Sequence, residues 1–91
     1  MDITQHDHIE RELMMVKLKT NDDKEDAIKT VLYDFSATII NDKDDLLIIE
    51  VMADSTQNDK LLESLSGMSN LVAVARTGPL ALAKGDLKIS L

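Results

Sequence analysis

Six segments in the order strand–helix–strand–strand–helix–strand predict an α+β fold of the ferredoxin-like βαββαβ type. It consists of one four-stranded antiparallel sheet with two helices on one face. Two observations carry this expectation. Four short apolar stretches bounded by polar turns read as strands, and apolar residues recur at helical spacing in two others. The two strand–helix halves have similar lengths and no linker divides them, so residues 1–91 read as one domain.

The first strand is expected over Glu12–Lys19, where Met14, Val16 and Leu18 fall on one face and Leu13, Met15 and Lys17 on the other. Asn21-Asp22-Asp23 then marks a turn, and Asp22 with Glu25 forms a capping-box pattern at a helix start. Ala27, Ile28, Val31, Leu32 and Phe35 follow as one apolar helical stripe. The second strand spans Ala37–Asn41 and the third Leu46–Met52. The charged run Asp42-Lys43-Asp44-Asp45 joins them as a hairpin turn without glycine. Asp54-Ser-Thr-Gln57 offers N-caps for a second helix carrying Leu61, Leu62, Leu65 and Met68, with Gly67 as its C-terminal signal. Leu71–Arg76 is the fourth strand.

Two helices cover one face of such a sheet, and the other face should then be polar. It is not. In the third strand both alternating sets, Leu46/Ile48/Met52 and Leu47/Ile49/Val51, are mostly apolar, with Glu50 in the first set, and the first strand is similar. An uncovered apolar face predicts a homodimer or higher oligomer, with sheet faces or edges buried between chains. Size points the same way, because a 91-residue chain buries only about 60–65% of its unfolded surface and is marginal alone.

Composition narrows the function. The net charge is −7 and the only aromatic residues are Tyr33 and Phe35, so the chain lacks both the basic face and the stacking rings of a nucleic-acid binder. Cysteine is absent, which removes disulfides and thiolate metal cages and fits a cytoplasmic location. No apolar run approaches the ~18 residues of a membrane span, and the polar, acidic start is not a secretory signal.

Few residues suggest chemistry. His6 and His8, with Asp7, Glu10 and Glu12 nearby, could ligate a divalent ion, but no third ligand stands at a defined spacing and a solvated arm is expected. The acidic runs Asp22–Asp26 and Asp42–Asp45 lack the spacing and glycine of a calcium loop and read as a helix start and a turn. Met14, Met15, Met52 and Met68 read as core filler. With three glycines, Gly67, Gly78 and Gly85, there is no phosphate-binding loop, and no Ser–His–Asp arrangement is legible. No catalytic, cofactor or metal residues are assigned.

Val72-Ala-Val-Ala-Arg-Thr-Gly-Pro79 is the exception. Gly78 and Pro79 are expected to end the strand, Gly by a positive-φ turn and Pro by forbidding further pairing. Arg76 is expected to find a carboxylate for its planar fork across the sheet or an interface, from among Glu10, Glu12 and Glu50.

Three segments carry a family resemblance. His8-Ile-Glu-Arg-Glu-Leu-Met-Met-Val-Lys-Leu18, Phe35-Ser-Ala-Thr-Ile-Ile-Asn-Asp42, and Val72-Ala-Val-Ala-Arg-Thr-Gly78 with Leu82-Ala-Lys-Gly85 resemble the C-terminal domain of acetolactate synthase (acetohydroxyacid synthase) small regulatory subunits. They span most of the chain in the family's order. Ser36, Ala73 and Lys84 depart from the family's Arg, Glu and Arg, and Met52-Ala53 replaces its Thr-Gly. The N-terminal ACT domain, which in the family binds the feedback amino acid, has no counterpart in this sequence.

The resemblance implies a non-catalytic regulatory and assembly module of branched-chain amino-acid biosynthesis. It would pair with itself and contact the catalytic large subunit, which carries thiamine diphosphate, magnesium and FAD. Glu10, Arg11, Glu12, Arg76, Thr77 and Gly78 become the structural and interface candidates. Arg76 is expected to pair with Glu10 or Glu12, and Leu80 to Leu82 to pack as an apolar lid. The alternative is a stand-alone ACT-like amino-acid sensor at a dimer interface, using backbone N–H groups at Asn21–Asp23 or Asp54–Gln57.

Overall fold

A computed structural model describes residues 8–83, so His6, Lys84 and Gly85 lie outside the described residues. The elements are β1 (His8–Lys19), α1 (Glu25–Asp34), β2 (Thr38–Lys43), β3 (Leu46–Ala53), α2 (Ser55–Met68), β4 (Asn70–Arg76) and β5 (Leu80–Ala83). The antiparallel sheet runs β2-β3-β1-β4, the ferredoxin-like order, and β5 pairs with β1.

Alternation decides the layers. Met14, Val16 and Leu18 of β1 and Leu47, Ile49 and Val51 of β3 are buried against Ile28 and Leu32 of α1 and Leu61 and Leu65 of α2. Both helices therefore cover one face, as the periodicity required. The opposite face of β1 and β3 keeps Met15 and Met52 exposed.

Several local expectations change. The capping box does not form: Lys24 is the α1 N-cap, without a side-chain cap, and its N–H donates to Asn21 O at 3.1 Å. The turn at Asn21 tightens the chain ahead of the helix, so the start falls two residues later than the Asp22 pattern requires. The helix ends in a Schellman motif instead. Ala37 N–H donates to Leu32 O at 2.8 Å and Ser36 N–H to Tyr33 O at 3.0 Å, with Ser36 at φ 57°. The β2–β3 hairpin closes on two residues, Asp44 and Asp45, at φ 55° and 64°. These are the positive φ values of a type I′ turn, which aspartate tolerates without glycine.

Gly67 lies within α2 and does not form its C-terminal turn; the helix continues to Met68, and Ser69 Oγ donates back to Leu65 O at 2.6 Å. The N-cap expectation holds: Asp54 accepts from Gln57 N–H at 2.7 Å.

Candidate functional site

The residues singled out in the sequence converge where β1, β4, β5 and the first turn of α2 meet. Glu12 shares the inward face of β1 with Met14 and Val16, and its side chain is buried, only 4% exposed. A carboxylate there needs a counter-charge and hydrogen bonds. Register supplies the first: Arg76 ends β4 directly opposite Met14, one pleat along from Glu12. Arg76 Nη2 lies 2.6 Å and Nε 2.9 Å from Glu12 Oε1, so two arms of the guanidinium close on one oxygen. The expected Glu12–Arg76 pair is present; Glu10 and Glu50 are not its partners. Glu50 lies opposite Met15, on the other face.

Helix α2 supplies the rest. Asn58, fully buried, donates from Nδ2 to Glu12 O at 3.1 Å and to Glu12 Oε1 at 3.0 Å. Asp59 Oδ1 accepts from Arg76 Nη1 at 2.6 Å, and Ser55 O from Nη2 at 3.3 Å. The Arg76 bonds, and after them the Asn58 amide, hold the Glu12 carboxyl below its ordinary pKa against the opposing effect of burial. Glu10 takes a separate role: one carboxylate oxygen accepts from both the backbone N–H and the hydroxyl of Ser55. The two β1 carboxylates thus fasten the start of α2 at two points. Among the described side chains, Asn58 Oδ1 is buried without a hydrogen-bond partner.

Asp59, Asn58 and Ser55 were not legible as members. They sit on an amphipathic helix at ordinary polar positions, and only the packing of α2 across β1 brings them to Arg76.

Thr77 and Gly78 form a hinge in the strand pairing. Thr77 N–H donates to Leu13 O at 3.0 Å. In return Leu13 N–H donates to Thr77 Oγ1 at 3.2 Å, a hydroxyl standing in for the backbone carbonyl. Gly78 follows at φ 81°, a value that favours glycine. Pairing then resumes beyond Pro79, with Leu80 opposite Arg11 and Leu82 opposite Ile9. Gly78-Pro79 interrupts the strand and does not terminate it, because Pro79 falls between the paired segments. Nor do Leu80 and Leu82 form a packed lid: both are exposed. Arg11 Nη1 donates to Glu10 O at 2.8 Å and pairs with no carboxylate among the described residues.

Two surfaces remain. The open sheet face presents Met15 and Met52, and Ile9, Leu80 and Leu82 are exposed beyond them where β5 pairs with β1. At the far end of the sheet a polar cleft of about 430 Å³ is lined by Lys19, Asn21, Lys24, Ser66 and Asn70, among others. Of the two loops considered for an amino-acid carboxylate, Asp54–Gln57 has its Ser55 and Gln57 N–H groups already taken by Glu10 and Asp54. The described residues hold no group of three or more potential metal ligands, and no helix among them is long and apolar enough to cross a membrane.

Comparison with known proteins agrees with the fold. The family profile described as the small subunit of acetolactate synthase matches residues 11–85. The chain is 31% identical over 85 residues to the acetolactate synthase isozyme 3 small subunit of Escherichia coli, covering 93% of this chain and 52% of that protein. It is 27% identical over 84 residues to the Bacillus subtilis small subunit, covering 92% and 48%. The chain thus spans about half the length of these curated relatives. The crystal structure of the Thermotoga maritima small subunit superposes with a TM-score of 0.83 at 23% identity, over 94% of this chain and 52% of that one.

Proposed function

The chain belongs to the acetolactate synthase small-subunit family, and from that premise we propose that it is a non-catalytic regulatory and assembly module of that enzyme. It pairs with a copy of itself and contacts the catalytic subunit. The observation that carries this reading is the open sheet face. Met15 and Met52 stand exposed on the side of β1 and β3 away from the helices, next to a β1–β5 ribbon with Leu80 and Leu82 outward. An apolar face of this kind on so small a domain is stabilised by covering it with another chain. The Glu12–Arg76–Asn58 network fixes β1, β4 and α2 beneath that face and has no part in chemistry.

The test is acetolactate formation by the matching catalytic subunit, with and without this chain and with and without valine. A rise in turnover insensitive to valine, together with co-migration of the two chains, is the expected result. Met52→Lys, at an exposed position, should fold normally and lose both. A chain that neither co-migrates nor alters turnover overturns the reading. A response that depends on valine favours the amino-acid sensor.

A further inference from the structure

We infer that the outer edge of β4 joins two copies of this chain, β4 against β4 in antiparallel sense about a two-fold axis at Val74. The inference deepens the self-pairing proposed above, on which it rests, by assigning that contact to the sheet edge and not to the open face.

Backbone direction along β4 follows from its hydrogen bonds to β1. Thr77 N–H donates to Leu13 O, and Leu13 N–H donates to the Thr77 hydroxyl, so Thr77 turns its donor toward β1. Alternation then turns the N–H and C=O of Ala73 and Ala75 toward β1 and those of Val74 and Arg76 outward, where β4 ends the sheet. Such a row is a template for another strand. Leu71-Val-Ala-Val-Ala75 has neither charge nor proline to defend it. Val72 is 54% exposed, and Val74 is 40% exposed although it pairs with the fully buried Val16. A bulge at Val72 disturbs only the start of the strand, and Ala73–Arg76 pairs without interruption. The opposite edge is defended. β2 bulges at Ile40, in mid-strand, and carries Asp42 and Lys43, with Asp42 3.6 Å from Lys29.

The occupant is a second copy because the edge is complementary to itself. A two-fold axis at Val74 sets Val74 opposite Val74 of the other copy, a hydrogen-bonded pair in which each N–H donates to the other's C=O. Ala73 falls opposite Ala75 of the other copy at the closer, non-hydrogen-bonded positions, where small side chains fit. Arg76 falls opposite Val72, with its guanidinium already held by Glu12 and Asp59. Charge points the same way. Copies of net charge −7 repel, and this contact sets no carboxylate along the paired strands. A flexible foreign peptide would lose more entropy on pairing than a strand already fixed in a sheet. The axis stands perpendicular to the sheet, so the helices of both copies fall on one side. Both open faces fall on the other, as one surface for the catalytic subunit.

The chain contains no cysteine, so a single introduced thiol can cross-link only to another copy. Under mild oxidant Val74→Cys should form a disulfide-linked dimer, since facing Cα atoms of such a pair lie about 5.5 Å apart. Ile39→Cys, on the β2 edge, should not. Val74→Pro removes an outward N–H that serves no pairing within the chain, so it should keep its circular dichroism spectrum. Its dimer dissociation constant, read by sedimentation, should rise at least about tenfold. Val74→Lys should do the same if the proline disturbs the fold. A parent dimer that Val74→Cys does not cross-link and Val74→Lys leaves intact overturns the edge while self-pairing stands. A parent that stays monomeric overturns both. Protection of the Val74 amide from hydrogen exchange only when the catalytic subunit is added overturns the copy as occupant. A dimer joined at Val74 that neither binds nor activates the catalytic subunit supports the edge and overturns the function proposed above.

Discussion

Arg76 reaches across the register from β4 to place two nitrogens, Nη2 at 2.6 Å and Nε at 2.9 Å, on a single oxygen of the buried Glu12. Its third arm turns outward to Asp59 at 2.6 Å. One guanidinium therefore joins a buried carboxylate to an exposed one, and β1 to β4 and α2. Lysine could satisfy one of these contacts but not three, because it lacks the planar fork.

The pair imposes a pH dependence. The Glu12 pKa is lowered in the folded chain, chiefly by Arg76 and then by Asn58. The unfolded chain therefore binds the extra proton more readily. The stabilisation is complete above the ordinary carboxylate value of about 4.3 and is lost as pH falls through the lowered folded value. Glu12→Gln should melt lower than the parent at pH 7, and the gap should narrow on acidification. A gap that is constant with pH would contradict this.

Asn58→Asp should show the same trend by the opposite shift, a raised rather than a lowered carboxylate pKa. It sets a second carboxylate beside Glu12 at a fully buried position and removes the amide that donates to it. Burial and the like charge raise the new acid's pKa, so its destabilisation is least at acid pH and grows as pH rises. At pH 7 a loss of at least about 3 kcal/mol is expected from equilibrium urea unfolding.

Ser36→Gly should stabilise. Ser36 occupies the left-handed position of the α1 Schellman motif at φ 57°, and both backbone bonds of the motif are made without its side chain. Removing the Cβ should gain about 1 kcal/mol in thermal or chemical unfolding.

Asp54→Ala should cost about 1 kcal/mol, since it removes the acceptor of the Gln57 N–H at the start of α2. The loss should stay at that size, because Glu10 independently holds Ser55 N–H at 3.1 Å. Combining it with Glu10→Gln should cost more than the two separately, as both act on one helix end.

Repetition along the chain encodes the elements of this fold. The alternation in Glu12–Lys19 and Leu46–Met52 and the helical stripe of Ala27–Phe35 established the elements and their order. They also left a second sheet face uncovered. A carboxylate partner for Arg76, Glu10 or Glu12, was legible too, because the planar fork of a strand-end arginine calls for one. Tertiary structure decided what depends on register and on distances across the chain. It chose Glu12 over Glu10, since Glu12 is one pleat and Glu10 two pleats from Met14, the residue opposite Arg76, and it recruited Asn58 and Asp59 by laying α2 over β1. It also carried pairing past Pro79, through a Thr77 hydroxyl that replaces a backbone carbonyl to Leu13. Periodicity reports which way a residue points; only the packed chain fixes which residue it meets, because hydrogen bonds and ion pairs act over a few ångströms between groups dozens of residues apart.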